Sequence, residues 1–244
     1  KALSDKLHNR CVTANGKAIS ENYTEAQCYN TDVIATAEKP FKNMTGLVVL
    51  KGNLCPDGAV MKPTAASPHL MKHTGKAVVF ENIEDYHARV DDPNLPVDET
   101  SILVLKNVGP IGYPGMPEVG NMALPKRLID KGITDLVRIS DGRMSGTGFG
   151  TVVLHVSPEA AKGGPLALVQ NGDYITLDVE ARSLVLNVDE AELEKRKAAW
   201  KPAHQVSARG YVQLYQNHVE QAHLGADLDF LVGSSGSNVT RDSH

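Results

Sequence analysis

The sequence predicts an α/β protein: a mixed β-barrel surrounded by helices. Three observations point there. Short apolar, β-branched runs recur at residues 45–52, 75–82, 101–106, 133–139, 151–156, 165–170, 173–179 and 183–187. Helical spacings lie between these runs instead of in one block. Asn171-Gly172, between two of the runs, is a two-residue hairpin signal, so antiparallel neighbours are expected beside parallel ones. Mixed strand directions favour a closed sheet over an open doubly wound one.

In chain order, residues 1–40 are polar and weakly periodic, with a turn at Asn15-Gly16 and a short helix over residues 21–27; they read as a connecting arm. Residues 41–244 read as the barrel domain with a C-terminal helix and tail. Within it, Thr45-Gly-Leu-Val-Val-Leu-Lys-Gly52 has the form of a buried strand, and residues 53–58 of a polar turn. A second strand over residues 75–82 leads into a helix over 83–90, which Pro93 and Pro96 terminate. A third strand, 101–106, meets residues 107–118, where three glycines and three prolines forbid regular structure and impose a rigid loop. Glu118 either presents its carboxylate from that loop or caps a helix over 121–131. Further on, Asp189 with Glu192 three residues later opens a helix that ends at Trp200 and Pro202. An amphipathic helix follows over 211–223, and an apolar strap over 228–232.

Composition narrows the function classes. With 244 residues and 41% hydrophobic content, the chain has enough apolar material for a sizeable core. Lys+Arg 25 against Asp+Glu 29 leaves −4, and no basic run or aromatic ladder suggests nucleic acid. No apolar run approaches the ~18 residues of a membrane span and no signal peptide opens the chain, so a cytoplasmic location is expected. Cys11, Cys28 and Cys55 are odd in number and widely spaced, which fits neither a disulfide framework nor a self-contained metal site; Cys11 and Cys28 read as packing residues. A chain starting at Lys1 instead of Met is expected to be part of a longer one.

The chemistry concentrates in Arg138-Ile-Ser-Asp-Gly-Arg-Met-Ser-Gly-Thr-Gly-Phe-Gly150, a glycine-rich loop between two strand-like runs. Its glycines permit close approach, and Arg143, Ser145 and Thr147 stand among them, a surface suited to a small anion. The plainer reading is a turn whose polar groups satisfy backbone. It is not a P-loop, lacking Gly-Lys-Ser/Thr before a helix, nor a Gly-x-Ser-x-Gly elbow, since Arg143 takes the first glycine's place.

Gly52-Asn-Leu-Cys-Pro-Asp-Gly-Ala-Val-Met-Lys-Pro-Thr-Ala-Ala-Ser67, Gly109-Pro-Ile-Gly-Tyr-Pro-Gly-Met-Pro-Glu118, Ser140-Asp-Gly-Arg-Met-Ser-Gly146 and His155-Val-Ser-Pro-Glu-Ala-Ala161 together resemble the C-terminal part of the dihydroxy-acid/sugar-acid dehydratase family. The stretches Phe80-Glu-Asn-Ile-Glu-Asp85 and Asp227-Leu-Asp-Phe-Leu-Val-Gly233, with the closing Arg241-Asp-Ser-His244, are most similar to its aldonate (arabinonate-type) branch. The resemblance implies a C-terminal barrel domain and elimination of water from a 2,3-dihydroxy acid to give a 2-keto-3-deoxy acid. It implies Ser145 as the base with Thr147 beside it, Glu118 as a magnesium ligand, and His244 reaching the substrate; Arg143 lends charge to the substrate or serves structure alone. It also implies an iron–sulfur cluster whose cysteine ligands, with most magnesium ligands, belong to an N-terminal domain outside these residues, and a homo-oligomer at full length. Branched-chain dihydroxy-acid dehydration, or a non-catalytic barrel that binds a sugar acid or a partner chain, are the alternatives.

Overall fold

The computed structural model describes residues 1–41, 46–146, 148–203 and 207–233. Two sites named above, Thr147 and His244, lie outside the described residues. The chain forms two compact units, Lys1–Thr45 and Gly46–His244.

Among its described residues the first unit holds a 3-10 turn (Ser4–Lys6), one short α-helix, α1 (Ile19–Tyr23), and a bridge between Val12 and Ala18. Asn15-Gly16 does turn: Gly16 has φ +77° and donates to Thr13 O. None of its described residues is buried. The expectation that Cys11 and Cys28 pack internally is therefore corrected: both are exposed, because so polar a segment has too few apolar side chains to close around them.

The second unit contains eight strands: β1 (Val48–Gly52), β2 (Cys55–Met61), β3 (Lys72–Phe80), β4 (Ile102–Leu105), β5 (Val137–Ser140), β6 (Val152–Ser157), β7 (Tyr174–Asp178) and β8 (Ser183–Leu186). They close into a barrel in the order β1-β2-β6-β5-β4-β3-β7-β8. The neighbours β3, β4, β5 and β6 run parallel, with Phe80, Leu105 and Ser140 in register at a shared carboxyl rim. The remaining pairings are antiparallel except Lys51 with Ser183, which closes the ring.

β4 reads as an unbroken apolar run because both its faces are covered, whereas β5 alternates Val137 and Ile139 with Arg138 and Ser140. Ile102, Val104, Val137 and Ile139 join Leu50, Met61, Ile175 and Leu184 in one cluster, the barrel interior. Leu103 and Leu105 face outward to a second cluster with Phe80, Tyr86 and Leu128. That outer layer is covered by two helices, α2 (Ile83–Arg89) and α3 (Lys126–Ile129), so both strand faces are buried, as parallel strands require. Asn82 caps α2 by accepting from Asp85 N at 2.7 Å. Two later helices, α4 (Glu190–Ala199) and α5 (Gly210–His218), complete the unit, and Asp189 caps α4 as its spacing predicts.

Local expectations fail where a proline or a distant partner outweighs pattern. The helix expected over 121–131 starts only at Lys126, because Pro125 disfavours helical geometry in the residue before it. Residues 53–58 are mostly strand: the turn tightens to Asn53-Leu54, and Cys55 already pairs with Gly52. Residues 165–168 form a 3-10 helix that Pro165 opens, and Asn171-Gly172 closes no hairpin. Instead that turn docks on β3: Asn171 Oδ1 accepts from Val79 N at 2.7 Å, and Gly172 N donates to Ala77 O.

One buried network holds the far end of the β5–β6 connection. The Asp135 carboxylate accepts from Arg138 Nη2 (2.9 Å), Thr151 N (2.9 Å) and Thr151 Oγ1 (2.7 Å), while Arg138 Nη1 donates to Met122 O (2.9 Å). These bonds offset the desolvation of a buried ion pair, although Arg138 Nε is buried with no partner among the described residues. Gly150, at φ +119°, leaves the room: a Cβ there would overlap the Arg138 guanidinium and come within 2.8 Å of Asp135 Oδ1. Gly150→Ala should therefore cost about 3 kcal/mol or more in urea unfolding, and a variant as stable as its parent contradicts this role for the network.

Candidate active site

Parallel neighbours are ordinarily joined through a helix, yet residues 141–151 take the chain from the end of β5 to the start of β6 without one. The loop thus leaves the carboxyl rim, crosses the barrel wall and enters β6 at the opposite rim. Lying flat on a wall needs small residues and anchors.

The first anchor is Asp141, fully buried. Its carboxylate accepts from Val108 N (2.9 Å), Ala160 N (2.9 Å) and Asn107 N (3.3 Å). Burial pushes this carboxyl up to about 7, against the pull of those backbone donors. A second buried acid, Glu159, accepts from Gly112 N (2.9 Å), Ile111 N (3.0 Å) and Gln221 Nε2 (2.7 Å). Together the two acids hold the rigid loop after β4 against the ends of β5 and β6. Gly109 has to be small here, since a Cβ would sit 2.7 Å from Glu159 Oε2.

Held in that way, the loop after β4 meets the crossover. Gly120 N donates to Arg143 O at 2.8 Å, and Arg143 Nε donates to Met116 O at 2.7 Å. Arg143 Nη2 lies 3.3 Å from Glu118 Oε1, both side chains being half-exposed. Glu118 is thus presented from the loop and does not cap α3, which begins eight residues later. Ser145, two residues beyond Arg143, is partly buried, and its carbonyl accepts from Gly148 N at 2.9 Å in a turn. On the other side, Lys62 Nζ donates to Gly146 O at 2.9 Å. The far end is pinned by Gly150 N on Ala65 O (2.8 Å) and by the Asp135 network.

The structure therefore brings Glu118, Arg143 and Ser145 onto two interlocked loops. Sequence reasoning missed Asp141, Glu159, His155 and Lys62, although all four lie in the quoted motifs. For Asp141 and Glu159 the available signal was a single acid beside glycines or prolines; His155 and Lys62 carried none. His155 has φ +55° and sits in a β-bulge: Gly58 pairs with Ser157 and Val60 with Leu154, so His155 and Val156 together oppose Ala59. Its Nδ1 is buried without a partner among the described residues, and burial, then the charge of Arg143, holds its imidazole below the ordinary value.

Glu118 fits magnesium as one ligand: it is a half-exposed carboxylate whose second oxygen makes no hydrogen bond among the described residues, a hard donor of the type that ion takes. No group of three His, Cys, Asp or Glu among the described residues could hold a metal ion, so further ligands must come from elsewhere. Cys55 does not fit an iron–sulfur cluster, because burial pushes its thiol up to about 12, far from the thiolate such ligation needs. A cavity of about 670 Å³ lined by Lys106, Arg196 and Trp200 is touched by no residue of the crossover. Its buried cations are already paired, Lys106 with Glu81 at 2.9 Å and Arg196 with Asp173 at 2.6 Å.

The lowered His155 pKa sets a direction with pH. As pH falls below the ordinary 6.5, the unfolded chain takes up this proton first, so the stability the group contributes is full above 6.5 and is lost below it. Between about pH 7.5 and about pH 5, His155→Asn, which tolerates positive φ, should lose less stability than the parent in urea unfolding. Equal losses contradict the assignment.

Residues 32–226 match the family model described as Dihydroxy-acid/6-phosphogluconate dehydratase C-terminal. The chain is 56% identical over 238 residues to an L-arabinonate dehydratase of Rhizobium leguminosarum bv. trifolii (strain WSM2304), covering 98% of this chain and 41% of that protein. It is 53% identical over 239 residues to an L-arabonate dehydratase of Azospirillum brasilense (96% and 41%), and 41% identical over 232 residues to a dihydroxy-acid dehydratase of Methanosarcina barkeri (strain Fusaro / DSM 804; 93% and 41%). The chain thus spans about two fifths of the length of these curated relatives. With its closed mixed barrel and interlocked loops, it belongs to the dihydroxy-acid/6-phosphogluconate dehydratase C-terminal family.

Proposed function

We propose that this domain supplies the base and one metal ligand to a sugar-acid dehydratase acting on an aldonate. The observation that carries the proposal is the interlock of the Glu118 loop with the Ser145 loop through Arg143. Likeness to the L-arabinonate and L-arabonate dehydratases, at 56% and 53% identity, favours a pentonate over a branched-chain acid, since the dihydroxy-acid dehydratase stands at 41%.

The reaction removes the C2 proton of a 2,3-dihydroxy acid; its electron pair becomes the C2=C3 bond, and the C3 hydroxyl leaves with a proton as water. The resulting enol tautomerises to the 2-keto-3-deoxy acid. Ser145 takes the C2 proton as alkoxide. A free serine hydroxyl is too weakly acidic for this at neutral pH, so positive charge beside it is required. Arg143 provides part of that field while it orients Glu118. Bound at Glu118, magnesium would supply Lewis-acid charge for the developing oxyanion and the departing hydroxyl. By the family resemblance Thr147 would assist the base, and His244 would bind substrate or carry the leaving proton; both lie outside the described residues. The remaining ligands, and an iron–sulfur cluster, come from the preceding three fifths of a full-length chain, which works in the cytoplasm as a homo-oligomer.

The 244-residue chain alone should not dehydrate L-arabinonate, whereas the same chain fused behind the preceding segment of the Rhizobium relative should form the 2-keto-3-deoxy product. In that fusion Ser145→Ala should cut kcat by about 10³-fold or more, and Glu118→Gln should raise the magnesium concentration needed. Turnover by the chain alone, an inactive parent fusion, or undiminished Ser145→Ala each contradicts the proposal.

A further inference from the structure

Lys62 follows the last residue of β2 and reaches the crossover at Gly146. Its ammonium donates to Gly146 O at 2.9 Å, one residue from Ser145. An ammonium has three donors, and Lys62 makes no other hydrogen bond among the described residues and no ion pair with any described carboxylate. Its position is set, not incidental: Met61 pairs with Val153, Pro63 opens a 3-10 turn, Ala65 O accepts Gly150 N, and Ser67 N donates to Thr151 Oγ1 at 3.1 Å. Residues 61–67 therefore run alongside the second half of the crossover and fix where the lysine stem begins.

Arg143, the other cation of this surface, is engaged with Met116 O and Glu118. Lys106 and Arg196 are paired with acids at the separate cavity. Lys62 differs from them in keeping donors open at Gly146, the residue after the serine that the proposed reaction uses.

We propose that Lys62 binds the carboxylate of the acid substrate, with Gly146 O holding the ammonium in place. This rests on the reading of Ser145 as the base: a carboxylate held one residue away brings the adjacent C2 towards that hydroxyl. It also neutralises the charge that opposes making a carbanion at C2. Charge, not shape, is what the site reads, so a neutral amide of the same acid gains nothing from it.

The test is amide NMR on the 244-residue chain titrated with D-glycerate, the smallest 2,3-dihydroxy acid, and with glyceramide. Glycerate should shift the Ser145 and Gly146 resonances saturably in the parent and in Lys62→Arg. Lys62→Gln, which keeps an N–H for Gly146 O but no charge, should weaken this at least about tenfold. Lys62→Met should do likewise, with Ile139 and Val153 amides unmoved as a check that the barrel is intact. Glyceramide should cause no saturable shift. Equal affinity in Lys62→Gln, a matching response to glyceramide, or no saturable response in the parent overturns the proposal. No metal or preceding segment enters this readout, so an inactive fusion with glycerate binding intact counts against the dehydratase reading alone.

Discussion

The connection between β5 and β6 is the constraint on which the rest depends. Two parallel neighbours must be joined by chain that travels back along the strand, and residues 141–151 do so with no helix to stiffen them. The conformation of so short a crossover is set by what it touches: the loop after β4 on one part, Lys62 and Ala65 on another. Glycines give it room, and anchors at both rims hold it: Asp141 at one end and the Asp135–Arg138 pair at the other. Between those anchors Arg143 is held by Met116 O and Glu118, and Gly146 O by Lys62.

Burying acids to achieve this is expensive unless each is surrounded by donors. Asp141 and Glu159 meet that condition with backbone N–H groups of one loop, residues 107–112, and so the same bonds that make the acids tolerable also fix the Glu118 loop. Stability and site geometry therefore share their interactions. Removing a buried acid would disturb both loops at once, whereas changes at the half-exposed Arg143–Glu118 pair act on the site with little effect on the fold, because exposed pairs contribute at most about 1 kcal/mol.

Much of the barrel was legible in the sequence because its signals are local. The apolar run of β4, the alternation of β5, the Asn82 and Asp189 caps and the glycine-rich crossover each declare themselves within about a dozen residues. What was illegible depended on partners far along the chain. Residues 165–170 look like a strand until Asn171 is seen to bond to Val79, and nothing near Asp141 says that its donors are residues 107, 108 and 160. Lys62 carries no local mark either, since its contact at Gly146 lies 84 positions away. The motifs contained these residues, but their roles arise from closure of the ring.

The central claim is that the crossover carries the base that acts at C2. Deuterium washout from L-[2-²H]arabinonate into solvent, followed by NMR in the full-length fusion, tests it most directly because it reads proton removal at that carbon and not overall turnover. The account predicts washout with Ser145 present and none with alanine in its place, in protein whose barrel resonances are unchanged. Washout at the parent rate without the serine hydroxyl would contradict it and move the base elsewhere.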